Sequence, residues 1–192
     1  MELDLAGKAA GWVELGASTD LMHIQTHVMS GWCVANLLEL TPRERALAMV
    51  AASAADLDGL GLFVNIDYYA KYHHVLGHNF VFGLLLTIFL TLFSIHRIKA
   101  FFLYLALFHL HLVLDYFGSG SGWGIYYFWP FTNEEFQSPY AWELDSWQNI
   151  VAACLFLCWV VVIIIRWNRT PLEAIMPSLD AKIVRNLTPS HR

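Results

Sequence analysis

Apolar and polar positions come in long blocks along this chain, not at short period. Residues 21–40 are moderately apolar, with His23, Gln25 and His27 at the front. A polar break, TPRER at 41–45, precedes an apolar run over 46–63 that carries Asp56 and Asp58 near its end. Residues 65–78 are aromatic and polar, 80–95 strongly apolar, and 96–99 (HRIK) a basic break. The run 100–117 is apolar but holds His109, His111 and Asp115, and 150–165 is the most apolar of all. A helix needs about 20 residues to cross the hydrocarbon core. The runs 80–95, 100–117 and 150–165 meet this once flanking residues are counted. The first two runs are weaker, because a lipid-facing helix would not tolerate their polar residues. The pattern predicts an all-α integral membrane bundle of about five membrane-embedded helices.

The remaining stretches fill in the organisation. Thr41, Pro42 and Glu44 predict a helix start, with Thr41 as N-cap and Pro42 in the first turn. Residues 118–148 read as a long outer loop rich in Trp and Tyr, and its GSGSG at 118–122 is a turn that lacks the Lys of a phosphate loop. Residues 1–21 read as an N-terminal extension, since they lack the basic start and continuous apolar core of a signal peptide. Residues 22–166 form the membrane domain, and 167–192 an amphipathic tail with Lys182 and Arg185 among spaced apolar residues.

Composition agrees. Apolar residues make up 57%, charged residues 14%, mean hydropathy is +0.49 and net charge is −5. Soluble domains are about a quarter charged, so a disordered chain, a coiled coil and a nucleic-acid binder are excluded. The three cysteines show no paired spacing; Cys154 and Cys158 read as small apolar residues of a membrane helix. With five spans, one side receives Arg43, Arg45, Arg97, Lys99, Arg166, Arg169, Lys182, Arg185 and Arg192, nine of the eleven basic residues. That side is expected to be cytoplasmic, C-terminus included, with the 118–148 loop outside. The expected location is a bacterial inner membrane.

On that topology His and Asp from five segments reach the same depth at the outer end. Ionisable residues inside a membrane are costly and mark functional sites by default. His111 and Asp115 lie one helical turn apart on one face, as do His23 and His27, and His74 and His78. Asp56 and Asp58 cannot share one face of a regular helix, so the helix is expected to end near Gly59 and Gly61 and turn both carboxylates inward. Imidazole with carboxylate suits zinc, iron, nickel or manganese, and several carboxylates among histidines suit about one to three divalent ions, with zinc the leading choice and Asp115 the candidate bridge. His109, His96 and His191 read as packing or tail residues, and His23 as a helix-start residue.

Five segments in order resemble the YdjM-like membrane-bound metal-dependent hydrolases: MHIQTHVMSGWCVANLL from Met22, AASAADLDGLG, HHVLGHNFVFGLLL, HLHLVLDYF and GIYYFWPF. The resemblance runs from Met22 to about Phe131 and implies a ligand set of His27, Asp56, Asp58, His73 or His74, His78, His111 and Asp115. Where the family commonly has His-Arg-Gly-x-Thr-His-Ser, this chain has His73-His74-Val75-Leu76-Gly77-His78-Asn79, which leaves His73 and His74 both open and removes an Arg suited to phosphate. The order of residues is also similar to zinc-dependent phospholipase C, without its third His/Glu pair. The resemblance implies a hydrolase in which bound metal activates water, with Asp58, where it is not itself a ligand, orienting that water or taking its proton, and His73 or His74 protonating the leaving group. The expected substrate is a phosphoester or lipid-linked molecule at the membrane interface, with membrane lipid as the partner and no role for nucleic acid. The competing reading is a metal-binding or proton-coupled membrane protein without hydrolysis, a carrier or accessory subunit. Ionisable residues gathered at one end count against a carrier, whose sites lie near the midplane.

Overall fold

The computed structural model describes residues 20–187, with side chains from Ile24 onward. Residues 1–19 of the expected extension, the side chain of His23, and His191 lie outside the described residues. The chain folds as α1 (Asp20–Ala35), α2 (Pro42–Ser53), a 3-10 helix (Ala54–Phe63), α3 (Ile66–Tyr72), α4 (Phe80–Leu92), α5 (Arg97–Gly118), α6 (Trp147–Trp167) and α7 (Pro177–Leu187). The only strand-like pairing among the described residues is an isolated bridge between Ile125 and Phe136 in the 118–148 loop.

Three segments are long and apolar enough to cross a membrane: Pro42–Phe63, Arg97–Gly118 and Trp147–Trp167, of 22, 22 and 21 residues. At about 1.5 Å per residue each spans roughly 30 Å. The ranking of the runs therefore changes at two places. Run 46–63, weak by hydropathy, belongs to a membrane-length segment, because its two acids turn into the protein and cost nothing against lipid. Run 80–95, strong by hydropathy, yields a helix of 13 residues, only about 20 Å long. Asn79 caps its start, accepting a hydrogen bond from the Phe82 N–H, and the chain leaves the helix at Phe93. On α6, Leu155, Val162 and Ile165 stay exposed, as a lipid-facing surface requires. Cys154 and Cys158 share that exposure.

α1 crosses α2 closely because both are small there. A Cβ on Gly31 would meet the Ala48 carbonyl oxygen at 2.6 Å, and Ala48, Ala51 and Ala52 are fully buried; this is how membrane helices approach without hydrophobic drive. The same alanines pack with Leu103, Tyr104 and Leu107 of α5. Trp32 and Cys33 of α1 pack with Val160, Ile163 and Ile164 of α6.

The starts of α2 and α5 and the end of α6 lie at one end of the bundle. Thr41 and Glu44 form the expected capping box with Pro42 in the first turn. Glu44, fully buried, also accepts from the His96 backbone N–H at 2.7 Å. The Arg45 guanidinium forks onto Glu173 at 2.5 and 2.7 Å and donates to the Leu40 carbonyl. Arg43 lies over the Phe93 ring. The other end is formed by the start of α1, the 3-10 helix, loop 73–79 and the end of α5, and the 118–148 loop is tied to it by Tyr126 N–H to the His74 carbonyl at 3.3 Å and Trp142 N–H to the Phe117 carbonyl at 2.9 Å.

Candidate metal centre

The 3-10 segment explains how two acids at spacing two both serve one centre. A 3-10 helix turns every three residues and stacks i over i+3. Ala55, Asp58 and Gly61 form one row, facing the protein. Asp56, Gly59 and Leu62 form a second, lining a cavity. Leu57, Leu60 and Phe63 form a third, all more than half exposed. The helix does not stop at the glycines, as its sequence suggests; it changes pitch at Ala54, ahead of the acids.

Asp115 sits at the middle. It is 4% exposed, with Oδ1 3.0 Å from His27 Nε2. Its Oδ2 lies 2.9 Å from His111 Nε2 and 3.1 Å from His78 Nε2. Asp56 Oδ1 stands 3.6 Å from His111 Nε2 and 3.9 Å from His78 Nε2. His74 joins the group with His78 and Asp115. Five histidines and three aspartates from α1, the 3-10 helix, loop 73–79 and α5 thus form three overlapping groups, His27, Asp56, His111 and Asp115, then His74, His78 and Asp115, then Asp58, His73 and His78, which bring together the expected residues.

The far sides of the rings fix their tautomers. His111 Nδ1 donates to the Ala52 carbonyl at 2.8 Å. His78 Nδ1 donates to Asp58 Oδ2 at 3.0 Å, and His74 Nδ1 to the Trp123 carbonyl at 3.2 Å. A neutral imidazole that donates through Nδ1 presents a lone pair at Nε2. Yet His78 Nε2 and His111 Nε2 are 3.2 Å apart and both face Asp115 Oδ2. Three lone-pair atoms converge, and only a cation between them, metal or proton, makes the arrangement favourable. Charge leads to the same need: the buried carboxyls of Asp58 and Asp115 and the partly buried one of Asp56 have no Lys or Arg bonded to them among the described residues. Two more buried atoms, His27 Nδ1 and Asp56 Oδ2, have no partner there. The donor set of imidazole and carboxylate fits a divalent transition ion.

Asp58 stands differently. Both its oxygens are taken: Oδ1 by His73 Nδ1 at 2.6 Å, Oδ2 by His78 Nδ1 and by the Gly77 N–H at 2.9 Å. It touches the nitrogen of His78 that points away from Asp115. Burial lowers the His78 pKa, but the neighbouring Asp58 and Asp115 carboxylates outweigh it and hold the metal-free ring up to about 10. Burial, with His78 and His73 close by, keeps His74 well below the usual histidine range.

Loop 73–79 separates two histidines that sequence left equivalent. His74 has φ 65°, a left-handed conformation that costs a side-chain-bearing residue about 1 kcal/mol or more. The turn sends the His74 ring into the cluster and leaves His73 on the cavity wall, bonded to Asp58. Gly77 is where Asp58 reaches the backbone, and a Cβ there would meet the Ala55 carbonyl oxygen at 2.1 Å. Asn79 ties the loop shut, donating to the Val75 and Leu76 carbonyls at 2.8 Å each.

His109 and His96 stand outside the cluster, as expected. His109 donates to the Leu105 carbonyl and bonds the Tyr127 hydroxyl, away from the cluster. His96 lies at the opposite end with Glu44. Contributors missed by sequence reasoning are the Ala52 and Trp123 carbonyls, Gly77 N–H and Asn79. Backbone groups leave no compositional trace; Asn79 was visible only as an Asn preceding an apolar run, a helix-cap signal.

A cavity of about 280 Å³ borders the cluster, with Asp56, His73, His74, Asp115 and Trp123 in its lining. The family model described as YdjM inner membrane protein matches residues 22–177, so the chain belongs to that family. Comparison with curated proteins and with solved structures gives no match. The likeness to zinc-dependent phospholipase C rests on residue order alone.

Proposed function

For this member of the YdjM inner membrane protein family, we propose metal-dependent hydrolysis of a phosphoester at the membrane interface. The observation that carries the reading is the convergence of His78 Nε2, His111 Nε2 and Asp115 Oδ2, with Asp115 itself lining an open cavity. A structural zinc is closed by four protein ligands; here the candidate ligands outnumber four and three of them, Asp56, His74 and Asp115, border a cavity, which supports a centre with room for substrate.

The ligands are His27, Asp56, His74, His78, His111 and Asp115. A divalent ion held there supplies Lewis acidity, polarising a phosphoryl oxygen and lowering the pKa of a water. Asp115 bridges the imidazoles of α1, loop 73–79 and α5. Asp58 orients His78 and raises its basicity through the Nδ1–H, as outer carboxylates do for metal-binding histidines. Asp56, its Oδ2 without a partner, accepts the proton of the attacking water. His73, on the cavity wall with Nδ1 bonded to Asp58, gives a proton to the leaving group through its other nitrogen, and Asp58 stabilises the imidazolium. The excess of basic residues at the far end supports an outward-facing centre.

The test is His73→Gln in metal-loaded protein. Loss of a general acid lowers turnover by about 10²–10⁴-fold, with metal content unchanged. Turnover equal to wild type refutes the assignment. The second reading, a proton network without hydrolysis, is favoured by the unbroken chain His73–Asp58–His78–Asp115–His27; it requires that the purified protein hold no metal.

A further inference from the structure

We propose that the cavity over the metal centre is an amphiphile site that opens sideways into the bilayer and seats one hydrocarbon chain of a lipid phosphoester against Leu60, Leu62 and Phe63. This deepens the phosphoester reading and rests on it for the head group.

The cavity has an amphipathic lining. Polar Asp56, His73, His74 and Asp115 line it together with apolar Leu60, Leu62 and Phe63 of the 3-10 helix and Ile24 of α1. Among the described residues no Lys or Arg lines it. A water-soluble phosphoester would find no cationic side chain to recognise it there. Its binding would depend on the metal alone. An amphiphile adds the apolar part of the lining, and each methylene withdrawn from water is worth about fourfold in affinity.

The 3-10 register connects that apolar lining to lipid. Leu57, Leu60 and Phe63 stack at spacing three on one face, and they are 57%, 54% and 89% exposed. They belong to a membrane-length segment, so in the bilayer this row meets hydrocarbon. Leu60 and Phe63 also line the cavity, which places its rim on the lipid face. Gly59 lies in the adjacent row between Asp56 and Leu62, and its missing side chain leaves space on the lining beside the His73 and Tyr69 rings. At about 280 Å³ the cavity stands near the lower end of small-molecule sites, about 300–1,000 Å³. It holds a head group and the first part of a chain, with the remainder left in the membrane.

The test uses the full chain in phosphatidylcholine vesicles doped with phosphatidic acid carrying a photoreactive group on its acyl chain. Cross-links are mapped by mass spectrometry. Saturable labelling of Leu60, Leu62 and Phe63 is expected, displaced by unlabelled long-chain phosphatidic acid and not by glycerol phosphate. Gly59→Leu narrows the space beside His73 and Tyr69; a Cβ there meets the His73 ring at 3.5 Å, an ordinary contact, and an unchanged Tm in detergent checks that the variant folds. It should lower this labelling about tenfold with metal content unchanged. Labelling that never saturates, that glycerol phosphate displaces equally, or that Gly59→Leu leaves intact overturns the proposal. Phosphate release from the same vesicles is scored separately. Saturable labelling without release would sink the hydrolase reading and keep the lipid site, whereas release from glycerol phosphate with unsaturable labelling would do the reverse.

Discussion

Asp58→Asn separates a residue that orients a ligand from one that is a ligand. The carboxylate serves three donors: His73 Nδ1, His78 Nδ1 and the Gly77 N–H. Asn keeps the volume but has one oxygen. Turned toward Gly77 and His78, that oxygen preserves two hydrogen bonds and sets an NH₂ against His73, which must then move its proton to the other nitrogen. The opposite flip sets the NH₂ against two donors. The first arrangement prevails, so His78 keeps its orientation and loses the negative charge behind it. Outer-shell changes of this kind cost about 10–100-fold in metal affinity, or about 1.4–2.7 kcal/mol. The assay is competition of wild type and variant against a chelator of known affinity, in detergent, with metal read by absorbance. A drop within that range is expected, with turnover falling further because His73 has lost its partner. Complete loss of metal would make Asp58 a direct ligand, and an unchanged affinity would mean that His78 does not bind metal at all.

Three further outcomes follow from the same geometry. Gly77→Ala drives a methyl into the Ala55 carbonyl and should lower stability by about 1–3 kcal/mol, seen as a lower Tm in detergent; an unchanged Tm contradicts the close approach. Glu173→Gln strips the charge opposite Arg45, which is 4% exposed, and should cost about 3–5 kcal/mol, the usual penalty for breaking a buried pair, in chemical unfolding while leaving metal content as in wild type. A reporter fused after Arg192 should be active in the cytoplasm, and activity outside would invert the assigned sidedness.

Much of the architecture was legible because membrane-length apolar runs are a strong signal. Where the reading slipped, the cause was averaging. Asp56 and Asp58 lower the hydropathy of their run although they face the cavity and the protein, while nothing in 80–95 announces that the helix ends at Phe93 after 13 residues. The site residues were legible as types at spacings. Their division of labour was not. It depends on a 3-10 pitch that gives three rows three environments, and on a left-handed His74 that parts two adjacent imidazoles. Both are choices of backbone, made by packing against Ala55 and the Trp123 loop from far along the chain. The Arg45–Glu173 pair, 128 residues apart in sequence, was invisible for the same reason.

The central claim is that Asp115 and the imidazoles around it hold a divalent ion. Elemental mass spectrometry of the purified full chain, beside Asp115→Ala and the control His109→Leu, tests it most directly. One or more equivalents of a transition metal in wild type and His109→Leu, lost in Asp115→Ala, is the expected result. No metal in any of the three, even after incubation with zinc, would contradict it and leave the cluster a proton network.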